Sequence, residues 1–315
     1  MRIASLLPSA TEIVCALGLE AELVAVTHEC DHPPSVRGKP VVTASVLEAG
    51  SSSAEIDRHI RSLVHAGSSV YSLDADRLAA LQPDLILTQE LCEVCAVSYP
   101  VVERAARRLE AGVQLVSLEP ERLEDVFDHL ALVGRITGRE RQAEQVVAGL
   151  RGRLARLARR LQDRPRLSVV CLEWLDPLFN CGHWTPELVR LAGGRDLLGV
   201  EAGPAHPIAW EDVVQANPQA LVVMACGFSL ERSLELMPAL TARPGFEDLR
   251  AVSEGRVFVV DGSAYFSRPG PRLIDSVEIL AGLLHPDMGE PAPVSAGAAA
   301  AVPLRSRQRS ARGSS

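Results

Sequence analysis

His28 and Cys30 stand two residues apart, and Cys92 and Cys95 form a CxxC pair further along the chain. Imidazole nitrogens and thiolates are soft donors. Four of them on converging loops would suit zinc, iron, or the axial position of a chelated cobalt. Each pattern alone is less specific. HxC is not a zinc knuckle, and the CxxC has no second copy. Cys95 reads equally well as a small buried hydrophobe and His28 as a turn cap. A thioredoxin-like use of Cys92 and Cys95 lacks the surrounding βαβ pattern.

A second set of candidates is aromatic. Six of the twelve aromatic residues fall in three short segments: EWLDPLFNCGHW (173–184), ACGF (225–228) and DGSAYFSRPGPR (261–272). Rings that are scarce elsewhere but gathered here are what a cleft for a large, flat ligand needs. Trp174, His183, Trp184, Phe228 and Tyr265 would supply its faces; Glu173, Cys226 and Arg268 would supply polar groups. The first half contributes THECDHPP, with His28, Cys30 and Asp31, and QELCEVC, with Gln89, Cys92 and Cys95. His183 and Trp184 precede Thr185-Pro186, a good helix cap followed by a first-turn proline. They therefore sit on a helix-entry loop, where ligand contact and loop packing are equally open. In LLPSATE, Ser9 and Thr11 occupy a strand-to-helix turn. Capping is their ordinary role, although the free amides there would also suit an anionic or carbonyl group.

Glycine-rich phosphate loops are missing, in both the GxGxxG and GxxxxGK[ST] forms, which argues against nucleotide phosphates. A GxSxG elbow is also missing, and Glu173 and Asp176 have no geometric support as an acid–base pair. The net charge of −8 argues against a nucleic-acid binder, whose partner demands a basic face.

The elements that must position these residues read as α/β. Apolar runs predict strands over 2–7, 23–27, 84–88, 113–118, 167–172, 220–224 and 256–260. Between them lie helical patterns over 10–17, 54–66, 100–109, 185–192, 210–216 and 271–284. QPDLILTQ and NPQALVVMA echo one another, each a proline followed by a buried strand, so the two halves share a topology. Residues 121–162 carry no proline and keep an apolar stripe at helical spacing. Unbroken, this helix would be about 60 Å long at ~1.5 Å per residue, a strut between two lobes. The alternative is two consecutive helices on one core, broken at Gly138 or Gly149. Composition and length suit two domains of ordinary size. The stretch after Met288, rich in Ala, Ser, Pro and Arg, reads as disordered.

No apolar run approaches the ~18–20 residues of a membrane span. The apolar run near the N-terminus stops at Pro8, too short for a signal-peptide core. Seven cysteines in scattered contexts suggest no disulfide framework. As written, the chain is expected in the cytoplasm, or in the periplasm or outside the cell if its start lies upstream.

RIASLLPSATEIVCALGLEAELVAVTHECDHPP, QPDLILTQ, a long helix and DGSAYFSRPGPRLIDSVEIL follow one another in an order that resembles the cobalamin and iron-chelate substrate-binding proteins of ABC transporters. The resemblance covers roughly residues 1–286. It implies two Rossmann-like α/β lobes joined by one long backbone helix, with the ligand held between the lobes. The matching boundaries are 1–119, a connecting helix over 120–164, a second lobe over 165–287 and a disordered tail over 288–315. The HEC, CEVC, EWLDP and GHW motifs are similar to those of proteins described as cobalamin-binding. The implied activity is non-catalytic binding of a corrinoid or other metal chelate as cargo, with no cofactor required. The implied partner is an ABC permease, which such proteins meet through a glutamate on each lobe. Glu103 fits the first position and Ser267 stands where the second is expected. The alternative is a cytoplasmic metal-binding or redox protein using zinc or iron at His28, Cys30, Cys92 and Cys95.

Overall fold

The computed structural model describes residues 1–46, 53–65, 70–89, 99–107, 112–288 and 297–302. Cys92 and Cys95 lie outside the described residues. In chain order the first half runs β1 (Ile3–Ser5), α1 (Pro8–Ala16), β2 (Leu23–Ala25), β3 (Thr43–Ser45), α2 (Ser53–His65), β4 (Tyr71–Leu73), α3 (Ala75–Ala80), β5 (Leu85–Thr88), α4 (Tyr99–Ala106) and β6 (Gln114–Ser117). Two helices follow, α5 (Leu123–Thr137) and α6 (Glu140–Leu161). The second half contains β7 (Leu167–Leu172), β8 (Trp174–Leu175), β9 (Leu178–Phe179), α7 (Thr185–Leu191), β10 (Gly194–Asp196), α8 (Trp210–Ala216), β11 (Ala220–Val223), α9 (Leu230–Thr241), α10 (Arg250–Ser253), β12 (Val257–Val260), α11 (Leu273–Leu284) and β13 (Ala299–Ala301).

The first lobe is built on a parallel sheet in the order β2-β1-β5-β6. The second uses β10-β7-β11-β12-β13, parallel except at its last edge. Strands buried on both faces need continuous apolar runs, as LILT in β5, ALVV in β11 and VFVV in β12 provide. The chain is thus α/β with two lobes.

The connection differs from a single strut. Gly138 adopts a left-handed conformation (φ 69°) and closes α5, with the Arg139 amide donating to the Gly134 carbonyl at 2.6 Å. The chain then folds back. The Arg151 guanidinium lies 5.2 Å over the Phe127 ring and pairs with Glu124, while Gly134 presses so close to Ala143 that a Cβ there would come within 2.7 Å. The apolar stripe is therefore two faces of a helical hairpin, and only α6, about 33 Å long at ~1.5 Å per residue, runs on to the second lobe. One apolar core extends from Ile3 and Leu85 through Leu130, Leu150 and Leu157 to Val169 and Leu280. Both lobes share it. From α6, Arg153 also donates to Asp275 and Glu278 of α11 at 2.5 and 2.6 Å.

The tail also departs from expectation. Ala299–Ala301 pairs antiparallel with β12, and Ala298 is buried. An exposed edge strand is costly to leave unpaired, and this short alanine segment covers it.

Replacing Gly138 by Ala is expected to lower stability by about 1 kcal/mol, because the positive φ is retained while a Cβ is added. Urea unfolding with an unchanged m-value checks this; an unaffected midpoint would show that the hairpin corner tolerates a side chain.

Candidate functional site

In both lobes the candidate residues lie just beyond the carboxyl ends of parallel strands, the edge where open α/β sheets take ligands. Ser9 follows β1, the His28–Asp31 loop follows β2, and Gln89 follows β5. Glu173 and Trp174 follow β7, Cys226 and Phe228 follow β11, and Tyr265 and Arg268 follow β12. Local chemistry sets each loop. Pro8 opens α1 at its first turn. The Asp261 carboxylate accepts from the Ala264 amide at 2.7 Å, starting the tight turn that carries Tyr265 and Arg268. Gly182 stands so close to the 203–205 backbone that a Cβ would fall 2.4 Å from the Ala205 nitrogen, so only glycine fits before His183.

Polar groups from the two lobes meet directly. From the second lobe, Arg268 donates to the Asp31 carboxylate, to the Glu29 carbonyl at 3.1 Å and to the Ser263 hydroxyl at 3.4 Å. Burial pushes the Asp31 carboxyl upward, but the Arg268 hydrogen bond and charge outweigh it and hold the group below the usual carboxylate range. Arg272, largely buried, donates to Oε1 of the buried Glu12 at 2.6 Å, and its guanidinium also lies 5.5 Å over the Tyr265 ring. Burial raises the Glu12 carboxyl against the opposing pull of Arg272. Gly270 allows this approach, since a Cβ there would lie 3.2 Å from Glu12 Oε2 and 3.5 Å from Ser9.

Beside these pairs, the Tyr71 hydroxyl donates to Glu29 Oε1 at 2.9 Å, and its ring lies 5.4 Å from that of His28. His28 is exposed, with Nδ1 2.8 Å from the Thr43 hydroxyl. On the second lobe, Trp174 and Phe228 meet edge-on at 5.2 Å, both half-buried, and Cys226 is exposed next to them. Burial pushes the Glu173 carboxyl up to about 7, opposed by one amide, that of Gly182.

Several expected roles do not survive. The Cys30 thiol is buried and lies 3.0 and 3.2 Å from the Thr11 and Thr27 hydroxyls, so it is a hydrogen-bonded core group rather than a metal donor. Burial also raises its pKa, against the thiolate that a metal needs. Among the described residues no three His, Cys, Asp or Glu side chains converge as a metal site. Trp184 is tied down: its indole donates to the Phe266 carbonyl at 2.9 Å and its ring packs on the main core, with His183 stacked on it at 5.6 Å. Ser267 accepts from the Gly227 amide at 3.2 Å, whereas Glu103 is exposed on α4 beside Arg107. Tyr71, Glu12 and Arg272 escaped the sequence reading. The last two had a signal, since both belong to the strongest motif segments, PSATE and RPGPR, and a charge inside an apolar helix pattern requires a partner.

The periplasmic binding protein family matches residues 3–264. The chain belongs to that family. It is similar to an uncharacterized ABC transporter substrate-binding lipoprotein of Bacillus subtilis, 26% identical over 91% of this chain and 80% of the relative. A vitamin B12-binding protein of Vibrio cholerae is 23% identical over 88% and 86%. Among solved structures, a periplasmic heme binding protein from Pseudomonas aeruginosa superimposes with a TM-score of 0.67 at 25% identity, covering 90% of this chain and 92% of that one. The periplasmic vitamin B12 binding protein of Vibrio cholerae gives 0.64 at 22% identity, covering 92% and 98%. The chain is accordingly a substrate-binding protein rather than an enzyme. The cytoplasmic placement finds no support among these relatives, and an exported one fits them better. No helix among the described residues is long and apolar enough to cross a membrane.

Glu173 offers a pH test. Its native carboxyl holds its proton up to about pH 7, against a usual value of 4.5. The native state therefore binds this proton more tightly than the unfolded chain, and the associated stability is complete below pH 4.5 and lost as pH rises through 7. Glu173→Gln is expected to stabilise the protein by about 1–3 kcal/mol at pH 8, at about 1.4 kcal/mol per pKa unit, and to change little at pH 4. Equal unfolding midpoints for the two proteins at pH 8 would refute the assignment.

Proposed function

We propose that the chain holds a corrinoid or a similar flat metal chelate in the cleft between its lobes and presents it to an ABC permease. The observation that carries this reading is the convergence of two sheets' carboxyl edges, with the Trp174–Phe228 pair on one side and the His28–Tyr71 pair on the other. Rings on both walls suit a macrocycle. Groups such as Glu173, Gln89 and Arg268 at its margins suit the polar substituents of such a ligand. Names among the relatives point the same way, as vitamin B12-binding and heme binding proteins. The chelate is cargo, not a resident cofactor. His28, with Nδ1 engaged by Thr43, keeps Nε2 for an axial approach to the metal. Export places the receptor on the same side of the membrane as its substrate.

The zinc, iron or redox alternative is weaker. Cys30 is engaged inside the first lobe, and among the described residues no three His, Cys, Asp or Glu side chains converge around His28.

Purified protein titrated with cyanocobalamin and with haemin is expected to bind one of them at a single site, with a shifted visible spectrum and quenched tryptophan fluorescence. Trp174→Ala is expected to weaken that binding about 10–100-fold, the loss of about 1.5–3 kcal/mol of aromatic burial. No heat and no spectral change with either ligand at tens of micromolar would sink the proposal. Delivery is tested separately. Glu103→Arg is expected to abolish transporter-dependent uptake while leaving ligand affinity unchanged, and undiminished uptake would remove Glu103 from the docking surface.

A further inference from the structure

Among the described residues, two ion pairs join the first lobe to the 261–272 segment, and they are not equivalent. Glu12 and Arg272 are 4% and 13% exposed, so neither can leave the other without stranding a charge in the interior. In the second pair Arg268 is 9% exposed but Asp31 is 47% exposed. Asp31 can rehydrate on swinging out, so the cost of opening this pair falls on Arg268. Arg268 cannot follow it, because its guanidinium is also held by the Glu29 carbonyl and the Ser263 hydroxyl. Once Asp31 departs, a fixed, planar cation whose Nη1 donors are unfilled remains beside Tyr71 and Glu29 and needs another acceptor. A carboxylate or phosphate answers that need through charge-assisted hydrogen bonds.

We propose that Arg268 is the oxyanion-recognising residue of the cleft and that Asp31 is its exchangeable occupant, displaced by an acidic group of the incoming ligand. This rests on the receptor reading above and narrows it to chelates bearing a carboxylate or a phosphate. Asp31 then acts as a selectivity filter. It keeps Arg268 satisfied in the empty protein and makes any ligand without an acidic group leave the ion pair in place. The Glu12–Arg272 pair stays closed throughout and holds the lobes in register while the exchange occurs.

The test compares each ligand with a partner lacking the acid. Haemin against its dimethyl ester reports on carboxylates; cyanocobalamin against dicyanocobinamide, which lacks the phosphate of the nucleotide loop, reports on phosphate. The wild-type chain is expected to prefer the acid-bearing member of one pair by 10-fold or more, which also tells the two sources apart. Asp31→Asn is expected to tighten binding of that member about 3–10-fold by removing the competitor, with little effect on the neutral analogue. Arg268→Gln is expected to erase the preference. Chemical denaturation supplies a measurement without ligand: Asp31→Asn, which leaves a neutral acceptor at the half-exposed position, is expected to lower the unfolding midpoint less than Glu12→Gln.

Asp31→Asn weakening the acid-bearing ligand, or Arg268→Gln keeping the preference, would overturn the exchange alone. The same follows if Asp31→Asn destabilises as much as Glu12→Gln. Failure of the wild-type chain to bind any of the four compounds would instead remove the receptor reading, and the exchange with it.

Discussion

Glu12 and Arg272 sit at the point where the two lobes touch, and the geometry of everything around them follows from keeping that contact closed. A carboxylate on the first turns of α1 and a guanidinium just before α11 are each buried among apolar neighbours, where an unpaired charge costs several kcal/mol. Each is tolerable only with the other in reach. Gly270 gives the backbone room to approach Ser9 and Glu12, and the same Arg272 covers the Tyr265 ring. The loops bearing Asp31 and Arg268 are thereby brought within hydrogen-bond distance, although more than two hundred residues separate them in sequence.

The helical hairpin enforces the same spacing from behind. A single helix would touch each lobe only near its ends. By folding back at Gly138, α5 packs along α6 and presents Leu130 and Val133 to the first lobe while α6 carries Leu150 and Leu157 toward the second. The lobes thus share one core instead of owning two. Opening them as a hinge would expose that core and break the Arg153 contacts to α11. Binding in such a frame has to proceed through small motions of side chains and loops at the cleft rather than closure of whole domains. Asp31, half in water, is suited to a motion of that kind.

Much of this was legible in the residues. The strands announced themselves because both sheets are buried on both faces and so need unbroken runs of Val, Ile and Leu; β5, β7, β11 and β12 all lie inside the predicted stretches. That fixed where the loops begin, and with them the sheet edge at which ligand-facing residues gather. What could not be read was direction. HEC gives the same letters whether Cys30 faces a metal or two threonines; Thr27 stands only three residues before it, but Thr11 lies nineteen residues away, where spacing does not reveal it. The break at Gly138 was equally ambiguous. A glycine inside a helical pattern costs about 1 kcal/mol and is often tolerated. Only the tight seating of Gly134 on Ala143 makes reversal the better solution.

The cleft joins groups whose preferences conflict, and that conflict defines what can fill it. Glu173 is buried enough to hold its proton near neutrality, which makes it a donor to a carbonyl or amide as readily as an acceptor. Arg268, on the same lobe, presents a guanidinium that takes an anion. Trp174 and Phe228 between the strand ends reward only apolar, extended surface. A small ion satisfies one of these three and leaves the rest facing water, so its binding would gain little from the construction of the site. A macrocycle with a greasy face, amide or carbonyl margins and at least one acidic arm satisfies all three together. On the proposed reading, the physical selectivity of the cleft therefore lies in the combination of groups, and a metal at the ligand's centre would contribute through His28 only after the periphery has been matched.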